Sequence, residues 1–275
     1  MTQVPIWLVG VHAKIGRAKE HIGELDAEIR RFEKSTPYIV QPRLEPTSGD
    51  TLFVLRVREE LPLRCNSIVG DCIHNLRSSL DYLARQLVLV NDGTPTKQTA
   101  FPIFDSAEKF ETGALGQIKG ASKEAVALIK RLKPYRGGND WLWRLHRLDI
   151  ADKHREFITA EMAHEDVTID MSIGMRKAAR EAGFDWADRI PSTAIGIRPA
   201  NRQYPLVDGT VLYRIPAGVD PTEVDMNPKF TLQISFGKSE GLEGEAVFPA
   251  LHQLVGAVED AVNLFRPVFT STDRG

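Results

Sequence analysis

The period of the apolar residues is not constant along this chain, and its changes limit the folds open to it. Over most of the first 160 residues, apolar side chains recur at spacings of three and four. Two stretches beyond residue 165 alternate. In "DVTIDMSIG", Val167, Ile169, Met171 and Ile173 alternate with Thr168, Asp170 and Ser172. In "KFTLQISFG", Phe230, Leu232, Ile234 and Phe236 alternate with Thr231, Gln233 and Ser235. The first period belongs to helices, the second to strands with one buried face and one wet face, as in antiparallel sheets. Helices followed by strands predict an α+β fold and exclude the alternating order of a parallel sheet.

Local signals place the elements. Residues 6–34 read as a long helix ended by Pro37. "YIVQPRLEPTSGDTLFVLRVREELP" reads as two strands around a turn, with Pro42 marking an edge strand. A second long helix spans 63–90, and short helices lie near 106–113 and 121–132, the latter capped by Ser122. A further helix covers 140–160. Residues 174–191 form a small helix or loop, "STAIGIRP" a short strand, and "VDGTVLYRI" a hairpin around Asp208-Gly209. Residues 249–266 form an amphipathic helix with a stripe of Leu251, Leu254, Val255, Val258, Val262 and Phe265. The expected architecture is a helical bundle centred on 63–90 and 140–160, a C-terminal antiparallel sheet, and a terminal amphipathic helix that packs on the sheet or returns to the bundle. It is expected to be a single compact domain, 1–275, with a soft boundary near 160–165.

Several function classes drop out. There is no glycine-rich phosphate loop, no G-x-S-x-G and no dinucleotide fingerprint. The formal net charge is −2, so no global basic field draws in nucleic acid. Cys65 and Cys72 lie seven positions apart, ~10 Å along a helix axis, too far for a disulfide. They read as reduced thiols of a cytoplasmic protein. "VPIWLVGV" is too short to span a membrane. His12 and His21 read as solvated, and no serine has a base at a fixed spacing. Tyr135, Arg136 and Asn139 precede a helix start, where a phosphate or carboxylate could be received.

The stretch "GDCIHNLRSSLDYLARQLV" carries the candidate site. Val69, Ile73, Leu76, Leu80, Leu83 and Leu87 form a core seam, and Asp71, His74, Arg77, Ser78 and Asp81 crowd the other side. The helix from 140 is apolar nearly all round, yet it holds His146, Asp149, Asp152 and Lys153. Burying such charges costs several kcal/mol each unless they are paired. The polar face of the 63–90 helix is the nearest source of partners. The two helices are therefore expected to share a network of Asp71, His74, Arg77, Asp81, His146, Asp149, Asp152 and Lys153.

Two resemblances bear on its use. "RLDIADKH", from Arg147 to His154, resembles the R-x(4–6)-H signature of the HEPN superfamily, helical bundles that include many bacterial ribonucleases. The resemblance implies metal-independent cleavage of RNA by a homodimer. Arg147, His154, His146 and Asp149 would be the catalytic set, with Asp71, His74, Arg77, Asp81, Asp152 and Lys153 in support, and no cofactor. The combination of "GD..HNLRS.LD" with "LH.LD..DKHR" also resembles a bacterial and phage-associated protein group that brings no activity with it. Two alternatives stay open. The network could lock the helices of a non-catalytic binding or assembly protein. Or His74, Asp81, His146 and Asp149 could hold the metal of a metal-dependent hydrolase.

Overall fold

Leu8, Val11, Ile15, Ala18, Ile22 and Leu25 follow one another at three or four positions and are all buried. That stripe makes residues 9–34 a helix. In the computed structural model, residues 6–153, 160–170, 172–191, 194–197, 205–218, 229–237 and 241–270 are described. In chain order the elements are α1 (Val9–Lys34), β1 (Tyr38–Leu44), β2 (Thr51–Val57), α2 (Leu63–Leu89), α3 (Ala107–Gln117), α4 (Lys123–Leu132), α5 (Asp140–Lys153), β3 (Ala160–Asp170), α6 (Ser172–Glu181), β4 (Ala194–Ile197), β5 (Val211–Ile215), β6 (Lys229–Phe236) and α7 (Val247–Thr270). The fold is α+β.

The chain divides into two units, each assembled from separated segments: Met1–Ile29, Leu63–Ala160 and Lys238–Gly275 in the first, Arg30–Pro62 and Glu161–Gly237 in the second. In the first, α2 packs against both α5 and α7, α5 also packs on α7, and α4 packs on α7. The seam of Val69, Ile73, Leu76, Leu80, Leu83 and Leu87 is buried along its whole length. So is the stripe of α7 from Leu251 to Phe265, on the helix that packs against α2, α4 and α5. Side-chain oxygens of Ser106 and Ser122 cap α3 and α4, accepting from the amides of Lys109 and Ala125. The chain enters α5 through a tight turn in which the amides of Tyr135 and Asn139 both donate to the Lys133 carbonyl. Gly138 sits so close that a Cβ there would collide with that carbonyl.

The second unit holds two three-stranded sheets, ordered β1-β2-β5 and β4-β3-β6. β1 pairs antiparallel with β2 and is the edge its Pro42 predicts. The other neighbour of β2 is β5, far along the chain. This corrects one expectation. Among the described residues the Asp208-Gly209 turn does not close a hairpin, and the strand after it joins β2 instead. The turn forms, with the Thr210 amide donating to the Val207 carbonyl at 3.1 Å. But the Asp208 carboxylate accepts from the Val57 amide and the Arg56 guanidinium, which anchors β5 beside β2. Two boundaries and one face also differ from expectation. Ser172 and Ile173 lie in α6, because the strong helix formers of "MRKAARE" win over a two-residue alternation. Ala160 belongs to β3, so the helix expected over 140–160 ends before it. Ser235 is fully buried, so the expected wet face of β6 is covered at that end.

Candidate functional site

Leu142, Leu145 and Leu148 of α5 are buried to within 1% of completely, and they turn the helix so that Asp149 follows them inside. The side chain of Asp149 is only 5% exposed. Its Oδ1 lies 3.3 Å from Nδ1 of His74 on α2. One turn along, Asp152 of α5 approaches Gly70 of α2 so closely that a Cβ at Gly70 would meet its Oδ1 at 2.8 Å. Lower-numbered residues of α2 face higher-numbered residues of α5, so the two helices run antiparallel here.

His74 stands at the edge of this contact, its side chain 49% exposed. Its other ring nitrogen, Nε2, lies 3.3 Å from Ser78 Oγ, one turn further along α2. With the ring proton on Nδ1, facing the carboxylate, Nε2 is left as an acceptor toward the hydroxyl. The result is a hydroxyl, an imidazole and a buried carboxylate in series, the arrangement in which a histidine is held in one tautomer to take up a proton.

Arg77 and Asp81 have a different neighbour. Arg77 is buried, and its Nη1 is 2.8 Å from Asp81 Oδ1. Arg77 Nη2 donates to the Phe101 carbonyl at 2.9 Å, and the Phe101 amide donates to Asp81 Oδ1 at 2.9 Å. The pair clips both backbone groups of Phe101. The Phe101 ring is fully buried edge-on to Phe265 of α7, with centroids 6.2 Å apart.

Behind this clip lies His146, whose Nδ1 is buried without a hydrogen-bond partner among the described residues. Burial, and after it the Arg77 charge, push its pKa down to about 4 against opposing pulls from Asp149 and Asp105. It is neutral near pH 7. Arg147 turns to the start of α3, its Nη1 3.9 Å from Asp105 Oδ1. The Trp143 indole N–H, with Lys109 and Arg147, holds the Asp105 carboxyl below its ordinary range against the effect of burial.

The structure thus brings His74, Arg77, His146 and Asp149 into one neighbourhood. It sends Asp81 toward Phe101 and Arg147 toward Asp105. Asp71 is exposed, and its backbone carbonyl accepts from Asn75, whose Oδ1 in turn accepts from Lys14. Lys153 ends α5, and His154 lies outside the described residues. Two sequence readings are corrected. His21 is buried and within 3.2 Å of Glu24, because α1 turns it inward beside Ile22. Ser78 does have a base, four positions before it on the same helix face, a spacing that was open to inspection in the sequence. The roles of Phe101 and Asp105 carried no such signal. Cys65 and Cys72 are free and buried, and burial pushes their thiols up to about 11 and about 12. Among the described residues, no group of three or more His, Cys, Asp or Glu is placed to hold a metal, and no helix is long and apolar enough to cross a membrane. Compared with protein families, with curated proteins and with solved structures, the chain gives no match.

Proposed function

We propose that this chain cleaves RNA without a metal, with His74 as its proton-transferring side chain. The observation that supports the reading is the exposed imidazole whose inner nitrogen faces a buried carboxylate and whose outer nitrogen already sits at a hydroxyl. A ribose 2′-hydroxyl arriving where Ser78 Oγ now lies would lose its proton to Nε2. The 2′-oxygen would attack the adjacent phosphorus and the 5′-oxygen would leave, taking a proton from a second group. On the HEPN resemblance that group is His154, with Arg147 at the phosphate and two chains facing each other. The helices are then a bundle of that kind, in a bacterial, cytoplasmic protein.

The test is a 5′-labelled RNA strand incubated in excess EDTA with the wild-type chain, His74→Ala, Asp149→Asn and His154→Ala. Cleavage by the wild type is expected, with a loss of about 100-fold or more in His74→Ala, the scale of general acid–base catalysis. An intact strand with the wild type, or equal cutting by His74→Ala, ends the reading. The second reading is a non-catalytic binding or assembly protein. It is favoured by the Arg77–Asp81 clip, which spends both charges on holding a loop. Its signature is an RNA strand left whole, together with a marked loss of stability in Asp149→Asn. Cutting that EDTA abolishes would instead support the metal-dependent alternative.

A further inference from the structure

A cleft of about 400 Å³, a volume in the range of small-ligand sites, opens beside the start of α5. Arg136, Gly137, Asp140, Trp143, Arg144 and Gly241 line it. Two arginines line it against one aspartate. Arg136 lies over the Trp143 ring at 5.1 Å from its centroid, and Arg144 over Trp141 at 4.8 Å. Among the described residues, neither makes an ion pair with a carboxylate.

That is an unusual condition for two arginines close to acidic residues, and the acids explain it. Asp140 Oδ1 is taken by the Gly137 amide at 2.7 Å. Asp105 is taken by Trp143 Nε1, Lys109 and Arg147. A guanidinium laid on an indole is held at little further entropic cost, and its in-plane N–H groups stay open to a planar or tetrahedral anion. The helix start itself is not the attraction, since Asn139 Oδ1 already accepts from the Leu142 amide. Gly241 forms the far wall. Its φ is +95°, and a Cβ there would press to 3.3 Å from the Trp143 ring and 3.5 Å from Arg144 Cγ, so a larger residue would crowd the space.

We infer that this cleft binds backbone phosphates of single-stranded RNA, gripped by Arg136 and Arg144. The inference rests on the RNA reading above and names where the strand is held. Trp143 also carries Asp105, the partner of Arg147, so the grip and the proposed phosphate contact at Arg147 share one support.

The test is fluorescence anisotropy of a labelled 12-nucleotide RNA in EDTA, with the wild type, Arg136→Gln/Arg144→Gln and Arg136→Lys/Arg144→Lys. The glutamine pair is expected to bind at least 10-fold more weakly. Its log–log salt slope should be shallower by about 1.4, the value for two phosphate contacts to a single strand. The lysine pair keeps the charge but loses the fork and the stacking, and should fall between. Millimolar inorganic phosphate should displace the strand, and a strand with uncharged methylphosphonate linkages should not bind. Binding by the glutamine pair within twofold of wild type, equal binding of the uncharged strand, or no binding by the wild type overturns the inference. If the glutamine pair melts well below wild type, the lysine pair, the phosphate competition and the uncharged strand decide. A gel run on the same samples separates the two ideas. A strand gripped through the arginines but left whole removes the cleavage reading alone. A strand cut with equal affinity for both proteins removes this inference alone.

Discussion

His146 shows how far a neighbour can set the chemistry of one side chain. Placed among Leu142, Leu145 and Leu148 and near Arg77, it resists protonation. Its folded pKa, about 4, lies below the ~6.5 of an unfolded histidine. As pH falls from about 6.5 to about 4, the unfolded chain takes up a proton that the folded chain refuses. Stability from this group is therefore complete above pH 6.5, falls through that window, and is flat below it. The loss amounts to about 3 kcal/mol at most. Urea midpoints at pH 7.0 and pH 4.5 should differ for the wild type, and His146→Leu should remove most of the difference attributable to this residue. Equal pH sensitivity in the two proteins would show that His146 is not buried as described.

Between elements, the polar groups do two kinds of work. Asp149 and His74 join α5 to α2 at an edge open to solvent, where chemistry is possible. Arg77 and Asp81 join α2 to the loop at Phe101, where the guanidinium is nearly out of water and its role is to hold. Removing the carboxylate strands a buried charge, the costly way to break such a pair. Asp81→Ala is expected to lose about 3 kcal/mol, with the Phe101 amide exchanging faster with deuterium. An Asp81→Ala protein that melts like the wild type would show that the clip contributes nothing. The helix pattern alone put Asp81 and His74 on one polar face. It could not divide their partners, because that depended on where a loop 20 residues later returned.

For the molecule as a whole, each unit is closed by segments distant in sequence. β2 waits for β5, and α2 with α5 waits for α7. Such non-local pairing makes folding slow and the last segment indispensable. A chain ending at residue 246 would expose the faces of α2, α4 and α5 that α7 covers. Its far-UV circular dichroism is expected to lose much more helix than the 24 residues of α7 removed. A loss of only that segment's share would mean the remaining helices hold without it.

The period of apolar residues was sufficient to determine the class of the fold and most element positions, and the charges on the helices expected over 63–90 and 140–160 were sufficient to foretell the contact of α2 with α5. Each of these follows from burying a stripe or covering a charge, which adjacent residues specify together. The partners of individual charges, the joining of β5 to β2 and the arrival of the Asp149 carboxylate at His74 were decided by the tertiary structure. They depend on which distant groups arrive within ~3 Å, the reach of a hydrogen bond, and no local pattern carries that distance.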